Sequence, residues 1–467
     1  MRNKKFLIFF IVFIIIALSI VSHFAFFGHP NETVFDEVHF GKFVSGYLNH
    51  KYFFDIHPPL GKLMISAVAK ISGYKTGFGF KDIGETYPDK SYVWLRILPV
   101  FMGTLLPLVI FFIARELNFS ILASFSVSLL IIFENAILGQ SLFILLDSTL
   151  LLFGFLGLLL YLISRRILIY PHTKIFGVGI YILAIFCLAC SLSIKWTGAS
   201  FLALVFILEI YDYISLKLKD KKIINFWPRI LIMIFLPLIF YFSIFCLHFA
   251  ILNRSGDGDA FHTKEFQSTL LGNYNQNDPM IKKANIFDKF IELNIEMFRS
   301  NGRIQDNHPY SSKWFTWPMM AKPIYYWNDD DTANQAKIYL FGNPIIFWGS
   351  FMGIVILILE MIFFFKIMLK KIKTIIFILV GFVLNFIPFI FITRPMFLYH
   401  YLIALIFSIF ALCFVIDLVK KRNFKILIFA IILALSLASF FFFSPLTYGL
   451  KMSPNSFNAR LWTKNWQ

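Results

Sequence analysis

The chain has 467 residues, of which 58% are hydrophobic and 15% charged, whereas soluble domains carry roughly a quarter charged residues. The charges cluster between apolar runs of about 20 residues, long enough to cross a hydrocarbon core of roughly 30 Å. Composition therefore excludes an ordinary water-soluble globule, and the lack of dyad alternation in the runs excludes an outer-membrane barrel. The net charge of +17, from 43 Lys and Arg against 26 Asp and Glu, would suggest nucleic acid in a soluble protein. Here no basic helix or stacking platform appears, and most of the Lys and Arg sit in short loops between apolar runs, where they set topology.

In chain order, Arg2, Lys4 and Lys5 precede an apolar stretch from Phe6 to Val21. It is long for a signal-peptide core and no A-x-A site follows, so a retained anchor is predicted, with the basic cluster in the cytoplasm. Apolar runs predict about eleven spans, near 6–27, 93–113, 119–138, 142–163, 175–192, 197–213, 230–251, 338–365, 374–392, 397–417 and 426–444. If the spans alternate, the clusters at Arg165–Lys174, Lys217–Arg229, Lys366–Lys373 and Lys420–Lys425 all fall on the side of the amino terminus. That agreement places the amino terminus in the cytoplasm and the carboxyl terminus outside. Two long polar segments, about 28–92 and 252–337, are then extracytoplasmic, and loops this long are usually functional. Residues 61–74 inside the first are apolar but too short to span, and read as an amphipathic helix lying in the interface. No internal repeat or low-complexity linker appears, so residues 1–467 read as a single membrane domain. Cys187, Cys190, Cys246 and Cys413 all lie in apolar runs. The Cys187–Cys190 C-x-x-C stands alone and mid-helix, which suits packing better than zinc or redox chemistry.

Asp36 and Glu37 follow the first span by a few residues and are expected near the outer membrane surface. A carboxylate there can deprotonate a hydroxyl or help bind a hard cation, and it can equally be a solvated surface pair. In Asp55-Ile-His57-Pro58-Pro59 the prolines stiffen the backbone. His57 is placed to hydrogen-bond a sugar or phosphate oxygen, with a turn capped by Asp55 as the structural alternative. Ionisable groups beside spans usually have a task or a partner. Glu134, Asp147, Lys195, Arg394 and His400 are such groups, and Tyr399 and Tyr401 flank the histidine. On this topology Asp36, Lys195 and Arg394 share the outer face, where cations can hold a lipid phosphate. Pairing with Glu134 or Asp147, or snorkelling, is the alternative. The second loop carries GDGDAFH at 256–262 and HPYSSKWFTWPMMAKPIYYW at 308–327. Such aromatics suit sugar faces or polypeptide, and also a membrane-interface belt. Within that stretch His308, Tyr310, Ser311 and Trp317 are the candidates for substrate contact. Asp329, Asp330 and Asp331 read as a solvated turn.

The motifs DEVHFGKF, FFDIHPPLGKL, ILLDSTLL, SIKWTG, GDGDAFHTKEFQSTLLGN, HPYSSKWFTWP, FGNPIIFW and RPMFLYHYL together resemble the protein O-mannosyltransferase family, in the family's order and over most of the chain. The resemblance implies an all-α polytopic GT-C glycosyltransferase fold. It implies an enzyme that passes mannose from a polyprenyl or dolichyl phosphate to Ser or Thr of translocated, secreted or membrane proteins by an inverting displacement. It places the catalytic acid on Asp36, a substrate-positioning role on Glu37, beside the sugar contact already read for His57, and donor-phosphate contacts on Lys195, Arg394 and His400. No metal or other cofactor is expected, because fixed cations can stabilise a phosphate leaving group. Partners expected are the lipid donor, protein acceptors, the bilayer, and a translocation machinery or dimer partner, with no nucleic acid. Two departures stand out. Leu142 follows Ser141 where the family usually has Arg, which puts a phosphate contact in question and raises an inactive partner subunit as an alternative. About 85 residues fill the second loop, too few for the MIR domain of eukaryotic members, which suggests a prokaryotic type in a cytoplasmic membrane. A GT-C enzyme with a lipid or glycan acceptor is the other alternative. A transporter or flippase is disfavoured because the polar residues gather at one membrane face.

Overall fold

The structure, a computed structural model, describes residues 2–168, 174–218, 226–303, 308–329 and 335–466. Asp330 and Asp331 of the acidic turn, and Lys219, Lys221 and Lys222 of one basic cluster, lie outside the described residues. Helices α1 (Arg2–Phe24), α2 (Glu37–Asn49), α3 (Leu60–Ile71), α4 (Val93–Glu116), α5 (Ile121–Ile132), α6 (Asn135–Ser141) and α7 (Asp147–Ile167) open the chain. They are followed by α8 (Lys174–Ile194), α9 (Ala199–Lys217), α10 (Phe226–Ile251), the one-turn α11 (Lys264–Gln267) and α12 (Ile286–Arg303). The strands β1 (Ile324–Asp329) and β2 (Ala336–Leu340) precede α13 (Pro344–Phe363), the short α14 (Phe365–Met368), α15 (Ile372–Leu384), α16 (Leu402–Asp417), α17 (Arg422–Tyr448) and α18 (Pro454–Asn458).

Among the described residues, ten helices are long and apolar enough to cross a membrane, and α5 with α6, bent by 57°, makes eleven if counted as one broken span. The apolar runs form helices because a spanning segment must satisfy its backbone hydrogen bonds internally. The bend has a local cause. Glu134 is extended between α5 and α6 and caps α6 by accepting from Ala136 N at 2.9 Å, while Asn343 N donates to it at 3.1 Å.

The basic clusters sit at one end of the bundle, where Lys373 pairs with Asp212 at 3.2 Å and Lys425 with Asp417 at 3.0 Å. The two large loops meet at the other end. Tyr52 N donates to Arg254 O at 2.8 Å, and Phe35 N to Tyr326 O at 3.0 Å. The GDGD motif explains this closeness: a Cβ on Gly258 would lie 2.4 Å from the Phe53 carbonyl carbon, and one on Gly256 2.2 Å from Tyr52 O. Only glycine lets these two backbones pack.

The fold is all-α in class, and among the described residues β1 and β2 add one antiparallel hairpin with a bulge between Tyr325 and Trp327. Residues 338–343 therefore do not begin a span. The helix starts at Pro344, whose ring suits the first helical position, behind the Asn343 cap. Residues 61–71 do form a helix, and its Leu60, Gly61, Lys62, Leu63, Ile65 and Ser66 are buried in protein, so α3 packs into the loop layer through that face.

Candidate active site

Asp36 stands at the N-cap of α2, where an Asp commonly folds back onto the helix. Here its side chain makes no capping bond, and it opens into a cavity of about 710 Å³ at the loop end. The preceding residue sets this direction. Phe35 adopts a left-handed backbone, φ 48°, a conformation that costs a bulky residue about 1 kcal/mol or more and needs outside support. The hairpin supplies it: Tyr326 stacks on Phe35 at 4.1 Å with the rings 7° apart.

Glu37 points the opposite way. It is fully buried and takes two bonds from Arg96, Nε to Oε1 and Nη2 to Oε2, both 2.7 Å. Val34 N, Ile144 N and Tyr87 Oη complete its shell at 2.9, 2.9 and 3.1 Å. The expected substrate-positioning role is therefore corrected: every accessible lone pair of Glu37 is spent on folding the first loop. Arg96 binds the carbonyls of Pro30 and Glu32 as well, at 2.7 and 2.8 Å, and nothing in the sequence marked it.

Around the cavity the charges sort into pairs and singles. Asp55 pairs with Lys62, which also donates to His57 O at 2.7 Å. Burial opposes ionisation of Asp55, but Lys62 prevails and holds the carboxyl below its usual range. Burial pushes the His57 imidazole down to about 3, so it lines the cavity as a neutral hydrogen-bonding group. Lys195 donates to both oxygens of Asp147 at 2.8 Å and lies 5.2 Å from the Tyr399 ring centre. Gln140 donates to Asp147 at 2.7 Å and accepts from Tyr326 at 2.5 Å, tying this pair to the hairpin. Arg394 lines the same wall, and among the described residues its guanidinium has no hydrogen-bond or ion-pair partner. Asp36 is likewise unpartnered, and burial, only partly offset by Lys195, pushes its carboxyl up to about 7.

His400 lines the cavity between Tyr399, at 4.5 Å, and Trp317, at 5.8 Å, with its Nδ1 2.9 Å from Phe397 O. The other candidates of the second loop stand back. Ser312 N donates to Met396 O at 2.8 Å, Trp317 is buried and donates to Ser312 Oγ at 3.0 Å, and His308 packs on Phe397 at 5.0 Å. Tyr310 stacks on Tyr325 at 5.9 Å. Ser312, His308 and Trp317 therefore pack around the turn that carries Arg394, Tyr310 packs on the hairpin, and none of His308, Tyr310, Ser311 and Trp317 lines the cavity. Leu142 is 7% exposed and also stands outside the cavity wall. Residues not anticipated from the sequence are Lys62, Gln140, Asn385 and Arg299; of these only Lys62 fell inside a recognised motif. The remaining wall, including Leu150, Leu151, Phe389, Leu402 and Ile403, is apolar. One free carboxyl, cations and an apolar extension together suit proton abstraction beside a phosphate on a lipid.

A family model described as dolichyl-phosphate-mannose-protein mannosyltransferase matches residues 13–253, more than half of the chain. A second, the C-terminal four-transmembrane region of protein O-mannosyltransferase, matches 286–466. The chain is 34% identical over 317 residues to dolichyl-phosphate-mannose–protein mannosyltransferase 4 of Schizosaccharomyces pombe, covering 66% of this chain and 40% of the relative. It is 35% identical over 282 residues to protein O-mannosyl-transferase 2 of Danio rerio, covering 58% and 36%. It thus spans well under half the length of these relatives. The fold matches a chain of the Saccharomyces cerevisiae Pmt1–Pmt2 complex bound to the sugar donor, with a TM-score of 0.89, 19% identity, and coverage of 100% of this chain and 93% of that one.

Proposed function

Because the chain belongs to the protein O-mannosyltransferase family, we propose that it transfers mannose from a polyprenyl-phosphate-mannose to Ser or Thr hydroxyls of proteins. The observation that carries this is the meeting of Asp36 and Arg394, both without a side-chain partner among the described residues, with Lys195 on one cavity that continues into an apolar wall. The fungal relative is named for the same donor and for protein acceptors.

In the proposed step the acceptor hydroxyl gives its proton to Asp36 as its oxygen forms a bond to the anomeric carbon. The bond from that carbon to the phosphate oxygen breaks, and the electron pair leaves with the lipid phosphate. Attack opposite the leaving group turns a β donor linkage into an α product. Arg394 and Lys195 hold the phosphate charge, His57 bonds the sugar as a neutral group, and His400 packs the phosphate side. The phosphate is already a good leaving group, so no metal is required. We place the loops outside the cytoplasm and the amino terminus inside, from the basic clusters at the opposite end, in a cytoplasmic membrane. Pairing with a second related chain is proposed by analogy with the Pmt1–Pmt2 complex.

The test is transfer by purified protein from polyprenyl-phosphate-mannose to a Ser/Thr-rich peptide. Asp36→Asn is expected to lose at least about a hundredfold, the scale of a general base. Equal rates would reject Asp36 as the base. Transfer to lipid but not peptide would favour the lipid-acceptor alternative, and loss with EDTA that Mn²⁺ restores would overturn the metal-free mechanism.

A further inference from the structure

Helix α12 has a face that the transfer chemistry does not use. Its residues Lys289, Leu293 and Met297 are buried against the protein. Next to them around the helix, Phe287, Ile291, Ile295 and Phe298 are 61, 54, 44 and 72% exposed. Their spacing of four, four and three residues puts them on one stripe. Beyond that stripe lies a charged edge formed by Asp288, Glu292 and Arg299.

The level of α12 relative to the bilayer follows from its contacts. Two spans, Ile175–Ile194 and Trp196–Lys217, meet at Lys195, so that turn marks the membrane boundary at the loop end. Trp196 Nε1 donates to Tyr241 Oη at 2.9 Å, and Tyr241 Oη donates to Asn294 Oδ1 of α12 at 2.7 Å. Phe287 stacks on Phe242 at 5.0 Å with the rings 12° apart, and Phe242 belongs to the span formed by α10. Phe287 and Asn294 are seven residues apart, roughly 10 Å along a helix, yet they touch adjacent residues of α10. Helix α12 therefore crosses α10 at the boundary. Its apolar stripe lies between the side that touches α10 and the charged edge, the arrangement of a helix lying in an interface.

We propose that Phe287, Ile291, Ile295 and Phe298 enter the bilayer leaflet at the loop end, and that α12 is the membrane-seated sill of the cavity. The lipid-facing surface of α10, with Leu238 60% and Ile239 63% exposed, continues onto this stripe. Phe298 also lines the cavity, together with Phe391 and Ile392, which are 81 and 41% exposed. The mouth is thus edged by apolar side chains at lipid level. Resting on the proposed donor, the consequence is that a prenyl chain reaches the cavity past this sill without crossing water.

The test needs no activity. Nitroxide labels are placed by Ile291→Cys, Ile295→Cys and Asp288→Cys in a Cys246→Ser background, and the protein is put into phosphatidylcholine vesicles. At the two isoleucine positions oxygen is expected to relax the label more than a water-soluble nickel chelate, with the order reversed at Asp288. Dominance of nickel at both isoleucines overturns the proposal. So does exclusion of both agents with spin–spin broadening, which would mean that a second copy covers the stripe. In a transfer assay in vesicles, Ile291→Ser with Ile295→Ser is expected to raise KM for a long-chain donor while kcat holds. An unchanged KM overturns the role in donor entry. A wild type without any transfer would refute the transferase reading alone and leave the label result standing.

Discussion

Among the described residues the side chains of Asp36 and Arg394 have no hydrogen-bond or ion-pair partner, whereas Lys195 pairs with Asp147, and this difference separates binding from stability. Arg394→Ala removes a cation that holds nothing in the empty protein. It is expected to weaken donor binding by about tenfold or more, the worth of one charge-assisted hydrogen bond, with the melting temperature unchanged in a thermal scan. Lys195→Ala leaves Asp147 buried without its partner, so both donor binding and stability should fall, the latter by about 3–5 kcal/mol. A separate test is the pH profile. Burial pushes the Asp36 carboxyl up to about 7, and a base works only when ionised. The value of kcat/KM should therefore rise with pH through about 7 and level off above it. Lys195 opposes that upward shift, so Lys195→Met should move the inflection to higher pH; an inflection that stays put or moves down would remove Asp36 from that role.

At the scale of elements, the ion pair of Glu37 in α2 with Arg96 in α4 ties the first loop to the bundle. Arg96→Leu strands the fully buried Glu37 carboxylate, an uncompensated charge that costs about 3–5 kcal/mol. The expected result is a lower melting temperature and lost transfer, with both partly restored by adding Glu37→Gln. Failure of that second change to restore stability would mean that Arg96 acts through the Pro30 and Glu32 carbonyls alone. The loop-to-loop contact is equally constrained. In Gly258→Ala the new methyl meets backbone 2.4 Å away, which side-chain rotation cannot relieve. Limited proteolysis should then cut both loops faster, and activity should fall because Asp55 and His57 follow Phe53 directly.

For the whole molecule, charge asymmetry between the two ends is the main statement. The basic clusters of the short loops gather at one end and the cavity opens at the other, so the orientation we propose is the one that keeps those clusters inside. A cysteine in place of exposed Lys264 should react with an impermeant maleimide added to intact cells. One in place of Lys420 should react only after the membrane is opened. The reverse pattern would invert the topology and move the cavity to the cytoplasm.

The spans and their order were legible in the sequence because transfer of an apolar run into lipid is a local free energy, summed over neighbours in the chain. Asp36, Lys195 and Arg394 were legible as candidates because they interrupt or border such runs. The sequence could not say which acid of the Asp36–Glu37 pair faces the cavity. That choice belongs to Arg96, 59 residues from Glu37, and to a left-handed Phe35 braced by a hairpin nearly three hundred residues away. The aromatic stretch 308–327 reads as a substrate surface or an interface belt; His308, Ser312 and Trp317 of it pack around the Arg394 turn, and aromatic composition is the same for either task. Residues 61–71 read as an amphipathic helix from periodicity alone, but which of its side chains are buried against α4 and α8 was a matter of tertiary packing, because those partners lie far along the chain.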